Sequence, residues 1–275
     1  MRSAMELGCV VRSAPEAEQA ARLPLDYLEI KGDMLCVEGD EFAALCTRLG
    51  AAGLPFKAMT SPLPRRYGCR VVGPQADHAA ALKVFRDLCD RGAALGVRTV
   101  VLGSGQARSI PPGFAADRAL RQFREFLARA HQECARREMT LALEPLNRTE
   151  TNFVNSCAEA REVVDGLTGA DVRITTDCFH ILSEQLPVAE EVAAAGPAIG
   201  HAHTSSVPRG SGDFHEGAQQ EFVAALLAAG HRGGLTIEDD FGDFAREAST
   251  AVDVFRRVLA AASGPSPARG VRTCP

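Results

Sequence analysis

The sequence predicts a single closed (β/α)₈ barrel, and three observations lead to this fold class. Short apolar runs alternate along the chain with longer stretches of helical periodicity, a pattern typical of parallel strands joined by helices. A chain of 275 residues is close to the roughly 250 residues that such a barrel needs. The glycine patterns that cradle nucleotide phosphates, GxGxxG and GxxxxGK(S/T), are missing from the strand–helix junctions, which disfavours the competing doubly wound sheet.

Eight segments have the length and the apolar composition of buried strands. They are residues 6–11, 26–30, 55–60, 98–102, 140–144, 172–177, 198–203 and 234–238. Six segments between them have helical periodicity, namely residues 40–52, 77–95, 117–137, 156–167, 218–229 and 243–262. Ser156 with Glu159 three residues later predicts a capping box at the start of its helix.

Composition and charge restrict the domain organisation and the classes of partner. No linker divides the chain, so we expect one catalytic barrel domain over residues 1–262 and a disordered tail over residues 263–275, which are rich in Gly, Pro and Ser. A net charge of −5 without a basic block disfavours a nucleic-acid partner. No apolar stretch reaches the roughly 20 residues of a membrane span, and no signal peptide is recognisable. Nine cysteines without a CxxC pair predict reduced thiols and a cytoplasmic location.

Metal-binding types of side chain end four consecutive predicted strands. They are Glu144, Asp177, His203 and Glu238. Because the carboxyl ends of the strands of a barrel converge on one rim, where the active sites of this fold lie, we expect these side chains to meet. One imidazole and three carboxylates form an oxygen-rich site that suits Mn²⁺, Mg²⁺ or Co²⁺ better than a thiolate zinc site.

Four short motifs surround these strand ends. They read Glu144-Pro145-Leu146-Asn147 with Glu150, Asp177-Cys178-Phe179-His180, His201-Ala202-His203 with Arg209, and Glu238 at the end of the last strand. In these motifs and in their spacing the chain resembles the xylose isomerase-like TIM barrels, a family of sugar phosphate isomerases and epimerases, and within it the D-tagatose and D-psicose 3-epimerases. The resemblance implies a xylose isomerase-like (β/α)₈ TIM barrel.

The same resemblance implies a function and roles for individual residues. The four strand-end residues would bind one divalent metal ion per chain, with Mn²⁺ expected first and Mg²⁺ or Co²⁺ as alternatives. Glu144 and Glu238 would also form an acid/base pair, and the substrate-binding residues would be His180, Arg209 and Glu150. The implied enzyme isomerises or epimerises a ketose or keto-sugar through an enediolate that the metal ion stabilises.

Other functions share parts of this site and remain open. A lyase, by β-elimination on a 3-keto-glycoside or as an inosose-type dehydratase, begins with the same removal of a proton. An abasic-site endonuclease is less favoured, because the fourth predicted strand ends in Leu102 and Gly103 and supplies no histidine. A non-catalytic sugar-binding barrel is also less favoured, because the whole set of metal-binding and substrate-binding residues is present. The segment from Thr204 to Pro208 departs from the Glu and Asn usual in the epimerases, and the chain has no Trp, so the exact substrate stays open.

Several remaining polar residues carry weaker expectations. We expect His201 to face away from His203 and to pack behind the site, and His78 to face solvent. Glu29, at the end of the second predicted strand, could reach the mouth of the barrel, and His215 lies in a loop. The expected partner is a small-molecule sugar or keto-sugar, and the sequence is compatible with a homo-oligomer.

Overall fold

Eight parallel strands close into a barrel in the computed structural model, which describes residues 5–262. The strands are β1 (Glu6–Val11), β2 (Tyr27–Lys31), β3 (Phe56–Thr60), β4 (Thr99–Leu102), β5 (Thr140–Leu143), β6 (Arg173–Asp177), β7 (Ile199–Thr204) and β8 (Gly234–Ile237). Each strand pairs with the next along the chain, and β8 pairs with β1. The predicted fold class is therefore confirmed, and the strand bounds agree to within one residue. The tail predicted over residues 263–275 lies outside the described residues.

Helices follow the strands and cover the outside of the barrel. Those of the described part of the chain are α1 (Ala14–Ala20), α2 (Asp40–Ala51), α3 (His78–Ala94), α4 (Gly105–Arg108), α5 (Ala116–Ala135), α6 (Cys157–Asp165), α7 (Cys178–Ser183), α8 (Val188–Ala195), α9 (Glu216–Ala228) and α10 (Phe244–Ala262). The six predicted helices are α2, α3, α5, α6, α9 and α10. The prediction omitted four helices of eight residues or fewer, which are too short to show a clear periodicity. None of the helices within residues 5–262 is long and apolar enough to cross a membrane.

The start of α6 shows the predicted capping box in a shifted form. Ser156 Oγ accepts a hydrogen bond from the backbone N–H of Glu159 at 3.1 Å. The carboxylate of Glu159 accepts in return from the N–H of Asn155 at 2.7 Å, one residue before the expected donor. The N–H of Glu159 in the first turn of α6 and the N–H of Asn155 just before the helix thereby both find acceptors.

The interior of the barrel beneath its carboxyl-terminal rim contains a polar layer built on β2 and β8. The Tyr27 hydroxyl lies 2.7 Å from Thr236 Oγ1. A Cβ atom at Gly8 would come within 2.3 Å of the Tyr27 ring, and one at Gly234 would come within 2.2 Å of the Tyr27 hydroxyl oxygen. Glycine is therefore required at both positions to admit the ring. This layer supports the polar residues that lie above it along the same strands.

Candidate active site

The four predicted metal-binding side chains meet at the carboxyl-terminal end of the barrel. One donor atom from each of Glu144, Asp177, His203 and Glu238 lies within 4.8 Å of every other, and all four residues are buried. His203 Nδ1 is 2.8 Å from Glu144 Oε1 and 3.4 Å from Glu238 Oε2. Arg209 joins Asp177 to the group, because its guanidinium lies 3.0 Å from Asp177 Oδ2 and 3.0 Å from Glu238 Oε2.

The strand register brings these residues together. Asp177 and His203 are direct partners across the β6–β7 pair. Glu238 extends β8 by one bond, since its N–H donates to the carbonyl of Thr204 at 2.8 Å. Glu144 extends β5 in the same way by donating its N–H to the carbonyl of Leu102 at 3.2 Å. The backbone of each of the four residues is thus held at the rim of the barrel by strand pairing, and the four side chains start from neighbouring positions.

Burial and neighbouring charges shift the pKa values of Asp177, Glu238 and His203. Burial raises the pKa of Asp177 to about 7, against the opposing charge of Arg209. Burial alone would also raise the pKa of Glu238, but Arg209 and His203 together hold it well below its usual range. Burial lowers the pKa of His203, but Glu29 and Glu144 outweigh it and hold that pKa well above its usual range. Three buried carboxylates and one imidazole are a donor set that suits a hard divalent cation.

A cavity of about 420 Å³ opens directly above this group. Glu144, Glu150, His180, Arg209 and Glu238 line it. Its size is that of an ordinary small-molecule site. Polar surface predominates in its lining, and no Phe or Tyr of residues 5–262 is among the lining residues. The cavity is therefore suited to a ligand with many hydroxyl groups rather than to an aromatic one.

The structure determines which nitrogen of His180 can donate into the cavity. His180 Nδ1 lies 3.0 Å from both the backbone N–H and the side-chain amide of Asn147, so Nδ1 accepts and the ring proton sits on Nε2. Burial, followed by the charge of Arg209, holds the pKa of His180 well below its usual range. His180 is thus a neutral hydrogen-bond donor at the cavity wall.

Arg209 is held firmly by a ring and two carboxylates, while its Nε atom lacks a partner in the described part of the chain. Its guanidinium stacks over the Phe179 ring at 4.3 Å from the ring centroid, and it contacts Asp177 and Glu238 as described above. Its Nε atom is buried and has no hydrogen-bond partner within the described structure. A buried donor without a partner is costly.

Glu150 also lies where the sequence placed it, at the cavity wall. Burial raises its pKa, and the charge of Arg209 acts in the opposite direction. The cavity therefore brings together all three residues that were expected to bind substrate.

His201 packs behind the four-residue cluster as expected, but two expectations about the directions in which histidines face are wrong. His201 does not face away from His203, because residues two apart on a strand share a face, and both rings lie within the barrel with their centroids 5.0 Å apart. His78 does not face solvent: its side chain is 11% exposed, and its Nε2 lies 2.9 Å from the carbonyl of Val71. His215 is a loop residue as expected, and it is not among the residues lining the cavity.

The sequence suggested that Glu29 could reach the mouth of the barrel, but Glu29 is not among the residues that line the cavity. Glu29 is fully buried, and its carboxylate lies 2.8 Å from His201 Nε2 and 3.1 Å from His203 Nε2. These three residues are a second group of side chains whose donor atoms could hold a metal ion, and His203 belongs to both groups. The signal in the sequence was a lone carboxylate inside the apolar run Leu28–Ile30.

Arg108 supports the site from behind and was not recognised in the sequence. It is only 1% exposed, and its guanidinium donates to the backbone carbonyl of Glu144 at 2.8 Å. Its burial lowers its pKa to about 10. Arg108 therefore fixes the backbone of a cluster residue without lining the cavity itself.

Comparison with known protein families agrees with this architecture. The model of the family described as "Xylose isomerase-like TIM barrel" matches residues 17–257. The chain belongs to this family. D-psicose 3-epimerase of Enterocloster bolteae is 31% identical to it over 131 residues, which are 45% of this chain and 42% of that relative. The sequence match thus spans less than half of the relative's length.

Solved structures share the fold over nearly the whole chain. D-psicose 3-epimerase from Clostridium cellulolyticum H10, determined with D-tagatose, superposes with a TM-score of 0.74 at 21% identity and covers 93% of this chain and 99% of that chain. An apo 3-keto-D-glucoside 4-epimerase from E. coli gives a TM-score of 0.72 at 20% identity, with 92% and 99% covered. At such identities the likeness establishes the fold.

Proposed function

We propose that the protein is a divalent-metal-dependent epimerase or isomerase that acts on a ketose or keto-sugar. One observation carries the proposal: four side chains that could hold a metal ion converge at the base of a polar cavity whose wall also presents His180 and Arg209. The match to a D-psicose 3-epimerase supports the choice of a ketose and of epimerisation.

The donor set fits one divalent cation, which Glu144, Asp177, His203 and Glu238 would hold. Mn²⁺ is the cation we expect, with Mg²⁺ or Co²⁺ as alternatives, because the set contains three carboxylates and no thiolate. When bound, the cation would act as a Lewis acid that stabilises the negative charge developing on the substrate.

Glu144 and Glu238 would carry the proton. Both line the cavity, one from the end of β5 and the other from the end of β8, so a sugar in the cavity lies between two carboxylates. One carboxylate removes the proton from the carbon next to the carbonyl, and the other returns a proton to the opposite face. The lowered pKa of Glu238 keeps it ionised, which is the form that accepts a proton.

His180 and Arg209 would hold the substrate oxygens. His180 offers a neutral Nε2–H at the cavity wall, and Arg209, which lines the same cavity, offers a positive charge. Donors fixed in advance where negative charge develops stabilise the transition state more than they stabilise the bound substrate. Glu150, on the same wall, would steady Arg209 through its charge.

Arg209→Ala is expected to lower kcat/KM by about 10²-fold, the effect of losing one charge-stabilising donor. Metal content should stay near normal, because Arg209 is not a donor to the cation. Steady-state kinetics together with metal analysis of the purified variant measures both quantities. Arg148→Ala is a matched control, since Arg148 pairs with Glu184 and is not among the cavity-lining residues. Loss of the metal ion in Arg209→Ala would instead place this residue in the coordination of the metal.

A screen of substrates tests the proposed function. Free ketoses and 3-keto-glycosides are incubated with the Mn²⁺-loaded protein, and the products are identified by NMR. A ketose or keto-sugar converted to its epimer or isomer supports the proposal. Products that have lost a leaving group would show a lyase instead.

A further inference from the structure

Behind the four-residue cluster lie three polar side chains that do not line the cavity. They are Glu29, His201 and Thr236, which are fully or almost fully buried within the barrel. A buried carboxylate is unfavourable unless hydrogen bonds and charges compensate it. Because Glu29 cannot reach a ligand in the cavity, its position requires a different explanation.

The hydrogen bonds of Glu29 run to two imidazoles. Its oxygens lie 3.1 and 3.2 Å from His203 Nε2, and Oε2 lies 2.8 Å from His201 Nε2. His201 Nε2 is also 3.0 Å from Thr236 Oγ1, which in turn contacts the Tyr27 hydroxyl at 2.7 Å. Glu29 is thus anchored through a continuous chain of polar contacts to the layer beneath it.

This arrangement determines which nitrogen of His203 stays protonated when the other one binds a cation. An ionised carboxylate only accepts hydrogen bonds, so His203 Nε2 must be the donor to Glu29. Glu29 lies between two imidazoles, with Oε2 2.8 Å from His201 Nε2 and Oε1 3.1 Å from His203 Nε2, so both of its oxygens are placed to accept hydrogen bonds. The other ring nitrogen, Nδ1, is the one that faces Glu144 and Glu238.

We propose that Glu29 is a positioning residue for the metal centre: it keeps the proton of His203 on Nε2 and fixes the ring so that Nδ1 presents its lone pair to the cation. The inference rests on the proposed function, because it takes the four-residue cluster as the metal site. A carboxylate behind a metal-binding histidine orients the ring and increases its basicity as a ligand.

A second cation bound by Glu29, His201 and His203 is the competing interpretation. That group offers only three protein donors, all of them buried, and it would have to share His203 with the first site. Both oxygens of Glu29 already accept hydrogen bonds from the imidazoles. One cation per chain, with Glu29 outside its coordination, is therefore the arrangement that these contacts favour.

The test measures Mn²⁺ binding to the metal-free protein by calorimetry, which does not depend on turnover. Wild type should bind one Mn²⁺ per chain, and Glu29→Gln should raise the Kd by about 10- to 100-fold. Glutamine keeps the size of the side chain but offers a single acceptor oxygen to two N–H groups. The matched control is Glu191→Gln, a buried carboxylate away from the site that accepts from the N–H of Cys157 at 2.6 Å, and its Kd should equal that of wild type.

Nitrogen NMR of the ¹⁵N-labelled, Mg²⁺-loaded wild type supplies a second measurement that requires no stably folded Glu29 variant. The resonances of His203, assigned by their loss in His203→Asn, should show the proton on Nε2. A proton on Nδ1, an unchanged Kd in Glu29→Gln, or two Mn²⁺ per chain would overturn the inference and leave the proposed function standing. Failure of the wild type to bind any metal would contradict the proposed function itself.

Discussion

Removal of the divalent cation is expected to abolish turnover. The cation would stabilise the negative charge that develops on the substrate, so its removal takes away the Lewis acid on which the proposed reaction depends. Dialysis against a chelator should reduce activity to background, and Mn²⁺, Co²⁺ or Mg²⁺ should restore it. Assays before dialysis, after dialysis and after addition of metal measure the effect.

Addition of the cation to the metal-free protein should also change its thermal stability. A cation that binds only the folded chain stabilises it by about 2.7 kcal/mol at a free concentration of 100 times its Kd. The Tm should therefore rise on addition of Mn²⁺ to wild type, and it should rise much less for Asp177→Asn, which lacks one anionic donor. Full activity in a preparation shown to be free of metal would refute the metal dependence.

Glu238→Gln is expected to slow turnover by about 10²- to 10⁴-fold, the range for loss of a general acid or base. The amide keeps one ligand oxygen and the size of the side chain, so the variant should still bind metal, with reduced affinity. What it loses is the group that exchanges a proton with the substrate carbon. Kinetics at saturating metal concentration separate this loss from a simple loss of the cation.

A matched substitution controls for the change from carboxylate to amide. Glu184 pairs with Arg148 outside the cavity, so Glu184→Gln should turn over at the wild-type rate. A rate for Glu238→Gln within a few-fold of wild type at saturating metal would remove Glu238 from the proton-transfer step.

The convergence of the four cluster residues could be predicted from the sequence because each one ends an apolar run. Parallel strands carry their ends to one rim, so Glu144, Asp177, His203 and Glu238 needed only the correct strand assignment to be placed together. The long helices were predictable for a similar reason, since α5 and α10 repeat an apolar face over about five turns.

The support behind the cluster depends on contacts that no local pattern specifies. Glu29 reaches His201 and His203, which lie more than 170 residues away along the chain, only because β8 pairs with β1 and closes the barrel. Nothing in the sequence distinguishes Arg108 from an ordinary charged residue of a short loop. In the structure it is buried against the backbone of Glu144. The expectation that His201 faces away from His203 was wrong because residues two apart on a strand point to the same face of the sheet.

Turnover in D₂O tests the central claim, proton transfer by a pair of carboxylates, most directly. The substrate identified in the screen is converted by the metal-loaded enzyme in D₂O, and the product is analysed by NMR and mass spectrometry. If Glu144 and Glu238 serve opposite faces of the substrate, the product should carry solvent deuterium on the carbon next to the carbonyl. Product formed at the full rate without deuterium at that carbon would indicate hydride transfer between carbons and would contradict the account.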